Sequence, residues 1–382
     1  SKNVITVGAS EGVRAFGGND GCSISDAQAN SANDIIGFSS RGPCDDGRVK
    51  PDLVTCGTHV TGGVFPSSVG NAVAGSGTAD GCYDGSSVCG GVGSTFFPAG
   101  QEWTSASSGT SHSTPAVAGF AALIRQNFIN KGMTAPSPAM TKAMMMVSAG
   151  YMNGVGANDN LYSNSQGMGT VNMNNYFSII DNPNMIRDQQ NADMFTSTGQ
   201  EFLRTGVVDN IALPVKITLA YTDAPGPTNG NSFVNNLDLE VTENGNTYLG
   251  NIFTASLSNT GGVADNKNNV ESVFLPIGTS GPISIKVKAT NIAGDGVPNN
   301  ASPLDQDFSI IVSNFVERLV PIASSSGSTV IAESCGTGLV LDPQDHITVS
   351  LPITNTGNLA TTNLVATLQN TGGIIFPTSP QS

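Results

Sequence analysis

The stretch "GTSHSTPAVAG", Gly109–Gly119, decides how the chain is read. From Ser111 to Asn130 the apolar residues Val117, Phe120, Ala121, Ile124 and Phe128 recur at helical spacing, and Ala and Gly fill most of the other early positions. This pattern predicts a helix over 111–130, buried on nearly all sides at its start. A serine placed there has two readings. As a cap, Ser111 or Ser113 would accept a hydrogen bond from a first-turn N–H, a role serine fills well. As a nucleophile, Ser111 would need a general base, a group to orient that base, and donors for an oxyanion. The helix start supplies one ingredient: first-turn amides without internal acceptors, at the positive end of the helix dipole. Pro115 is expected in the first turn, where no internal hydrogen bond is lost.

Upstream, "NVITVGAS", "DIIGFSSRGP" and "KPDLVTCG" are short apolar runs punctuated by Gly and Pro, and they predict three buried strands. Downstream, "SPAMTKAMMMVSAG" predicts a second helix with Ser137 as N-cap, Pro138 at its first position and Gly150 as its stop. Met144–Met146 are expected to pack the core. Strands followed by helices predict an α/β domain over residues 1–182. After "IIDNPN" helical periodicity gives way to short alternating strands, among them "LPVKITLAYTD", "NLDLEVTENG", "ESVFLPIG", "GPISIKVKATN" and "DFSIIVSNF". These predict an all-β sandwich over residues 183–317. From about Val320, "HITVSLPITNTG" and "TNLVATLQNTGG" read as the first strands of a further sandwich over 318–382, incomplete as it stands.

Composition narrows the function classes. The 382 residues can bury a sizeable interior and suggest two or three domains. Charged residues are 12% of the chain, about half the usual share. With 29 acidic against 15 basic residues the net charge is −14, a field that repels nucleic acid and anionic lipid alike. The longest apolar run near a helix, Ala116–Ile124, has nine residues, well short of the ~18 a membrane span needs. Six cysteines show no paired CxxC spacing for zinc. Cys82 with Cys89 is the first expected disulfide and Cys22 with Cys44 the second, either implying an oxidising compartment; buried free thiols are the alternative. Ser1 is not methionine and no leader pattern follows it, so the chain reads as processed or cut.

The segment "SSGTSHSTPAVAG" resembles the nucleophile segment of the subtilisin-like serine proteases, in which Gly-Thr-Ser leads into a buried helix. "KNVITVGAS", "FSSRGPCDDGRVKPDLVTCGTHV" and "GMGTVNM" resemble three further motifs of that family, in the family's order. "AYTDAPG", "FVNNLDLEVTENGNTYLGN", "NNVESVFL" and "FSIIVSN" resemble the jelly-roll β-domain that follows the catalytic domain in one branch of it. The resemblance implies the C-terminal part of a subtilisin-like parallel-sheet α/β domain, then a jelly-roll sandwich and the start of an immunoglobulin-like β-domain. It implies a secreted endopeptidase, expected to be a monomer, acting on protein or peptide substrates, with Ser111 as the acyl-forming nucleophile. No cofactor is implied for catalysis. Structural calcium is implied for the jelly-roll domain, with Asp223, Asp238 and Glu271 as the oxygen donors to test, solvated loop acids being the other reading. The segment Asn235-Asn236-Leu237-Asp238 has one carboxylate fewer than relatives often carry.

The family's triad runs Asp, His, Ser along the chain, so both partners of Ser111 should lie well upstream. Of the three histidines, His59 in "CGTHVTGG" aligns with a loop after "KPDLV" rather than with the family's catalytic His, whose place here is Cys56. His112 occupies the family's usual Met position and is expected to be packed, and His346 to lie at the surface. Asp52 is expected to be structural, and Asp45 and Asp46 to sit in a turn. The triad Asp, the His and the oxyanion Asn are thus expected outside this sequence, and the chain alone should be inactive. A rival reading makes the protease-like part a degenerate scaffold whose β-domains bind polymers or cell surfaces.

Overall fold

The computed structural model describes residues 2–20, 22–63, 104–318, 323–325, 327–334, 346–355, 361 and 364–367. Strands β1 (Val7–Ser10) and β2 (Leu53–Cys56) pair in parallel, Val7 opposite Leu53 and Ser10 opposite Cys56. Parallel strands are covered on both faces, and Gly8, Ala9, Leu53 and Val54 are buried accordingly. Strands β3 (Val60–Gly63) and β4 (Thr104–Ser107) form an antiparallel pair that leads into helix α1 (Thr110–Asn130). The buried face of α1 is Ser113, Val117, Phe120, Ile124 and Phe128, a single face at helical spacing. The nearly all-round burial expected at its start is not found, since Ser111, Thr114, Pro115, Ala116 and Ala118 are exposed.

The run "DIIGFSSRGP" is not a strand; it makes a single bridge, Ile35 with Ser10. The Asp34 carboxylate takes the N–H groups of Ile35 and Gly156, and the Ser39 hydroxyl takes that of Ala9. Side chains thereby occupy donors that a ladder would use. Helix α2 (Pro138–Ser148) starts as expected, the Ser137 hydroxyl accepting from Met140 N at 3.0 Å. Met144, Met145 and Met146 are fully buried. Helix α3 (Met173–Asp181), capped by Asn172, was not anticipated; its nine residues are too few to establish a period by themselves.

The β-rich part comprises β5 (Asn184–Asp188), β6 (Glu201–Val208), β7 (Val215–Ala220), β8 (Asn236–Glu243), β9 (Asn246–Thr254), β10 (Leu257–Thr260), β11 (Val270–Leu275), β12 (Pro282–Asn291), β13 (Ser309–Ser313) and β14 (Phe315–Glu317). A four-stranded sheet has the order β11-β7-β13-β5 and a six-stranded sheet the order β10-β9-β8-β12-β6-β14, every pairing antiparallel. The β8–β9 hairpin turns through Asn244 and Gly245, whose φ values of 48° and 77° suit an Asn-Gly pair. Ile217, Leu219 and Val273 of the first sheet meet Leu239, Val241 and Ile285 of the second in one core. From the other side of the four-stranded sheet, Ala220, Phe274 and Ile311 join the cluster built on α1, α2 and α3. That sheet is therefore sandwiched between helices and strands, which explains why every residue of β11 and β13 is buried.

Farther along, β15 (Ala323–Ser325) pairs with β18 (Ile353–Asn355), and β16 (Thr329–Glu333) with β17 (Ile347–Ser350). The molecule is thus mixed helix and sheet, mostly strands, with three helices among the described residues. The expected Cys22–Cys44 disulfide is absent: Cys44 is a free thiol, as is Cys56, while Cys22 is disulfide-bonded to a partner outside the described residues. Cys82 and Cys89 also lie outside them.

Candidate active site

Neither Ser111 nor Ser113 caps α1. The cap position is Gly109, which makes no side-chain cap bond, and Ser111 stands one residue inside the helix after Thr110. Gly109 has φ 157°, a value open to glycine, and its N–H donates to the Gly57 carbonyl at 2.7 Å. One turn further on, the buried Ser113 hydroxyl reaches the carbonyls of Thr55 and Cys56 at 3.0 and 3.2 Å. A Cβ on Gly57 would lie 2.6 Å from that hydroxyl, so glycine is what lets helix and strand approach. These contacts dock the first turn of α1 on the end of β2. Ser111 is left exposed, and its hydroxyl has no hydrogen-bond partner among the described residues.

Because α1 begins at Thr110, Pro115 falls in the second turn and not the first. Its missing N–H leaves the carbonyl of Ser111 without its helical donor.

Behind the helix start lies a polar network that the sequence did not disclose. The His59 ring is wholly buried, Nδ1 2.8 Å from the carbonyl of Arg14 and Nε2 3.1 Å from that of Ile24. Its backbone N–H donates to the Ser108 hydroxyl, which in turn donates to Asp20. Ser108 N donates to Cys22 Sγ at 3.2 Å, and His112 Nε2 lies 2.8 Å from the Ser107 hydroxyl. Both ring nitrogens of His59 are engaged by main-chain carbonyls, so it is not free to take a proton from Ser111. His112 is half-buried and turned to Ser107, and His346 is exposed. Among the described residues, no imidazole is hydrogen-bonded to Ser111.

Asp52 is at the centre of the domain's other polar cluster. Its Oδ2 accepts from Thr6 N (2.8 Å), Thr6 Oγ1 (2.9 Å) and Lys50 Nζ (2.7 Å). Its Oδ1 accepts from Tyr162 (2.9 Å) and lies 2.8 Å from Lys142 Nζ. Burial alone would raise the carboxyl; Lys142 and Lys50 outweigh it and hold Asp52 well below the usual carboxylate range. Lys50 is pushed down to about 8 by burial and by the neighbouring Lys142, which Asp52 only partly offsets. Two cations sharing one anion account for these opposite directions. Asp46 accepts from Arg48 and Ser232, joining the two parts of the chain.

The three acids considered for calcium have separate environments. Asp223 is ion-paired with Lys2 at 2.7 Å and accepts from the N–H groups of Val234 and Asn235. Asp238 accepts from Asn236 and Thr290. Glu271 is fully buried and accepts from Leu239 N at 2.7 Å, its other oxygen unpaired. Burial, then Asp265, raises its carboxyl well above the usual range, which favours the neutral acid. No group of three His, Cys, Asp or Glu among the described residues could hold a metal ion.

Comparison with known proteins bears on the first part of the chain, which holds the exposed serine and the parallel strand pair. Residues 1–169 match the model of the subtilase family, so the chain carries a subtilase-family domain over that span. Among curated proteins it is similar to the serine protease/ABC transporter B family protein tagA of Dictyostelium discoideum, 28% identical over 326 residues. That alignment covers 81% of this chain and 16% of tagA. The tagD protein of the same organism is 26% identical over 321 residues, covering 70% of this chain and 16% of tagD. The chain therefore spans about a sixth of the length of these serine protease family relatives.

Proposed function

We propose that the protein is a serine endopeptidase in which Ser111 is the nucleophile of an Asp/His/Ser triad, the other two members and the oxyanion Asn lying outside this chain. The observation that carries the reading is the exposed Ser111 hydroxyl, without a hydrogen-bond partner among the described residues, on the first turn of a helix pinned to the sheet by its neighbours. A histidine would take the hydroxyl proton as the oxygen attacks a peptide carbonyl, and then give it to the leaving amine. Water would hydrolyse the acyl-enzyme by the reverse sequence. The positive end of α1 favours the developing oxyanion. The far side of α1 supports a domain completed by further chain: Ala118, Ala122, Leu123 and Ile129 are exposed there, Leu123 by 55%. An apolar residue on both faces of a helix belongs to one covered on both.

The substrates are proteins or peptides, and the protein acts as a monomer. The disulfide at Cys22 fits an oxidising compartment and hence secretion. The two packed sheets fit a jelly-roll domain over 183–317 following a catalytic portion over 1–182, and 318–382 begins an immunoglobulin-like domain.

A peptide-hydrolysis assay tests this on two polypeptides: the 382-residue chain, and a longer product of the same gene that includes the residues before Ser1. The expected result is no turnover from the first, turnover from the second, and its loss on Ser111→Ala. Turnover by the chain alone, or its survival in the longer Ser111→Ala variant, overturns the assignment. A correctly folded longer protein with no turnover would favour the binding scaffold.

A further inference from the structure

Strand β7 sends Val215, Ile217 and Leu219 into the core between the two sheets, so Lys216 leaves the opposite face, toward the helices. It emerges where α3 and the residues after α2 meet the β-rich part. Two adjoining cavities there, of about 210 and 420 Å³, share Asn175, Pro214 and Lys216. The smaller is walled mostly by apolar surface, including Ile179, Leu213 and Pro214, with Asn175 and Ser178 as polar groups among them. The larger is walled by Leu161, Leu257, Phe274 and Ile277. No other residue lining either cavity carries a charge. Among the described residues no carboxylate comes within 4.0 Å of the Lys216 ammonium, which lies 4.8 Å from the centre of the Phe274 ring. Burial pushes Lys216 down to about 8, so it is a largely charged, poorly solvated cation at neutral pH. A cation held in a mostly apolar groove without an anion is costly unless something brings one.

We propose that this groove binds the free C-terminus of a peptide ending in a large apolar residue. Such an end offers three groups around one carbon, and the groove answers each. Lys216 meets the carboxylate, the wall around Phe274 takes the side chain, and Asn175 and Ser178 face the preceding amide. An alkanoate has a matching charge and tail but leaves the polar end unused. Sites of this make-up, apolar with a few convergent polar groups, concentrate where domains meet. No residue of α1 lines the groove, and the proposal does not depend on the proteolytic reading.

Calorimetric titration of the 382-residue chain tests it with acetyl-Ala-Ala-Leu, the same peptide as its C-terminal amide, acetyl-Ala-Ala-Ser, and dodecanoate. The free acid ending in Leu should bind saturably, and the amide and the Ser-ended acid at least about ten-fold more weakly. Lys216→Met should abolish the preference for acid over amide, and Lys216→Arg should keep it. Affinity should fall as pH rises through about 8, where Lys216 loses its proton; Tyr151, the other titratable lining group, is raised above its usual value by burial and stays neutral. Equal binding of acid and amide, no saturable binding, dodecanoate in place of the peptide, or an unchanged preference in Lys216→Met overturns the proposal. Should Lys216→Met not fold, the acid–amide comparison and the pH titration on the unaltered chain decide the matter.

Discussion

At Asp52 a carboxylate with no exposed surface is gripped by Thr6, Lys50, Lys142 and Tyr162, while at Ser111 an exposed hydroxyl is gripped by nothing among the described residues. Both residues belong to the subtilase-matching span, and both were singled out in the sequence. The difference separates polar groups that hold a fold from polar groups that a fold holds out for chemistry. A buried charge has to be surrounded by partners, because the interior does not solvate it. The proposed nucleophile needs a fixed position with its own oxygen available, and neighbouring groups do the fixing: Gly109 through its N–H and Ser113 through its hydroxyl.

This contrast breaks most sharply at Ser111. In the longer protein Ser111→Ala should lower turnover by roughly a thousand-fold or more without shifting the melting temperature, as expected for a group used only in the reaction. At Asp52 the outcome should be reversed. Asp52→Asn leaves Lys50 and Lys142 buried without a counter-charge and should cost about 3–5 kcal/mol in denaturant unfolding of this chain.

The sign of the pH dependence sharpens the same point. Asp52 lies below its unfolded value of ~3.9 in the folded chain, so its contribution is complete above that pH and is lost as pH falls further. The Asp52→Asn variant should lack that acid-side slope, and the gap between the two stability curves should narrow in acid.

A smaller effect is expected at Ser113, two residues from Ser111. Ser113→Ala removes the donor to Thr55 and Cys56 and should cost about 1 kcal/mol, with a fall in turnover in the longer protein as α1 loosens from β2. The smallest effect is at Lys216, whose folded value of about 8 lies below the unfolded lysine value. The unaltered chain therefore binds fewer protons folded than unfolded between about pH 8 and 10.5 and gains stability across that range. Lys216→Met should melt no lower than the unaltered chain at pH 7 and should lack that rise.

Legibility followed the range of the interactions involved. Helix α2 could be read almost residue by residue, since Ser137, Pro138 and the apolar run act within one turn of each other. The start of α1 falls at Thr110, one residue before the predicted Ser111, with Gly109 and neither serine at the cap and Pro115 in the second turn. The strands of the sandwich that alternate or run apolar were legible, but β5, β6, β9 and β10 were not singled out, their residues being mixed in polarity and exposure. Asp223, Asp238 and Glu271 are legible in the sequence by residue type alone; the ion pair of Asp223 with Lys2, 221 positions away along the chain, is not. The His59 network likewise joins residues 14, 20, 24, 59 and 108, with no shared spacing to reveal it.

By itself the sequence determined helix α2 and the buried face of α1, the change from helical to strand periodicity near residue 183, a serine motif resembling a nucleophile segment, and a net charge of −14. Those properties are carried by local periodicity, by composition, or by a run of contiguous residues. Only the tertiary structure decided which polar groups are satisfied, that among the described residues Ser113 has hydrogen-bond acceptors and the Ser111 hydroxyl has no partner, and that Lys216 lies by Phe274 with no carboxylate among the described residues within 4.0 Å. Burial and pairing depend on atoms brought together from distant positions, and that information exists only once the chain has folded.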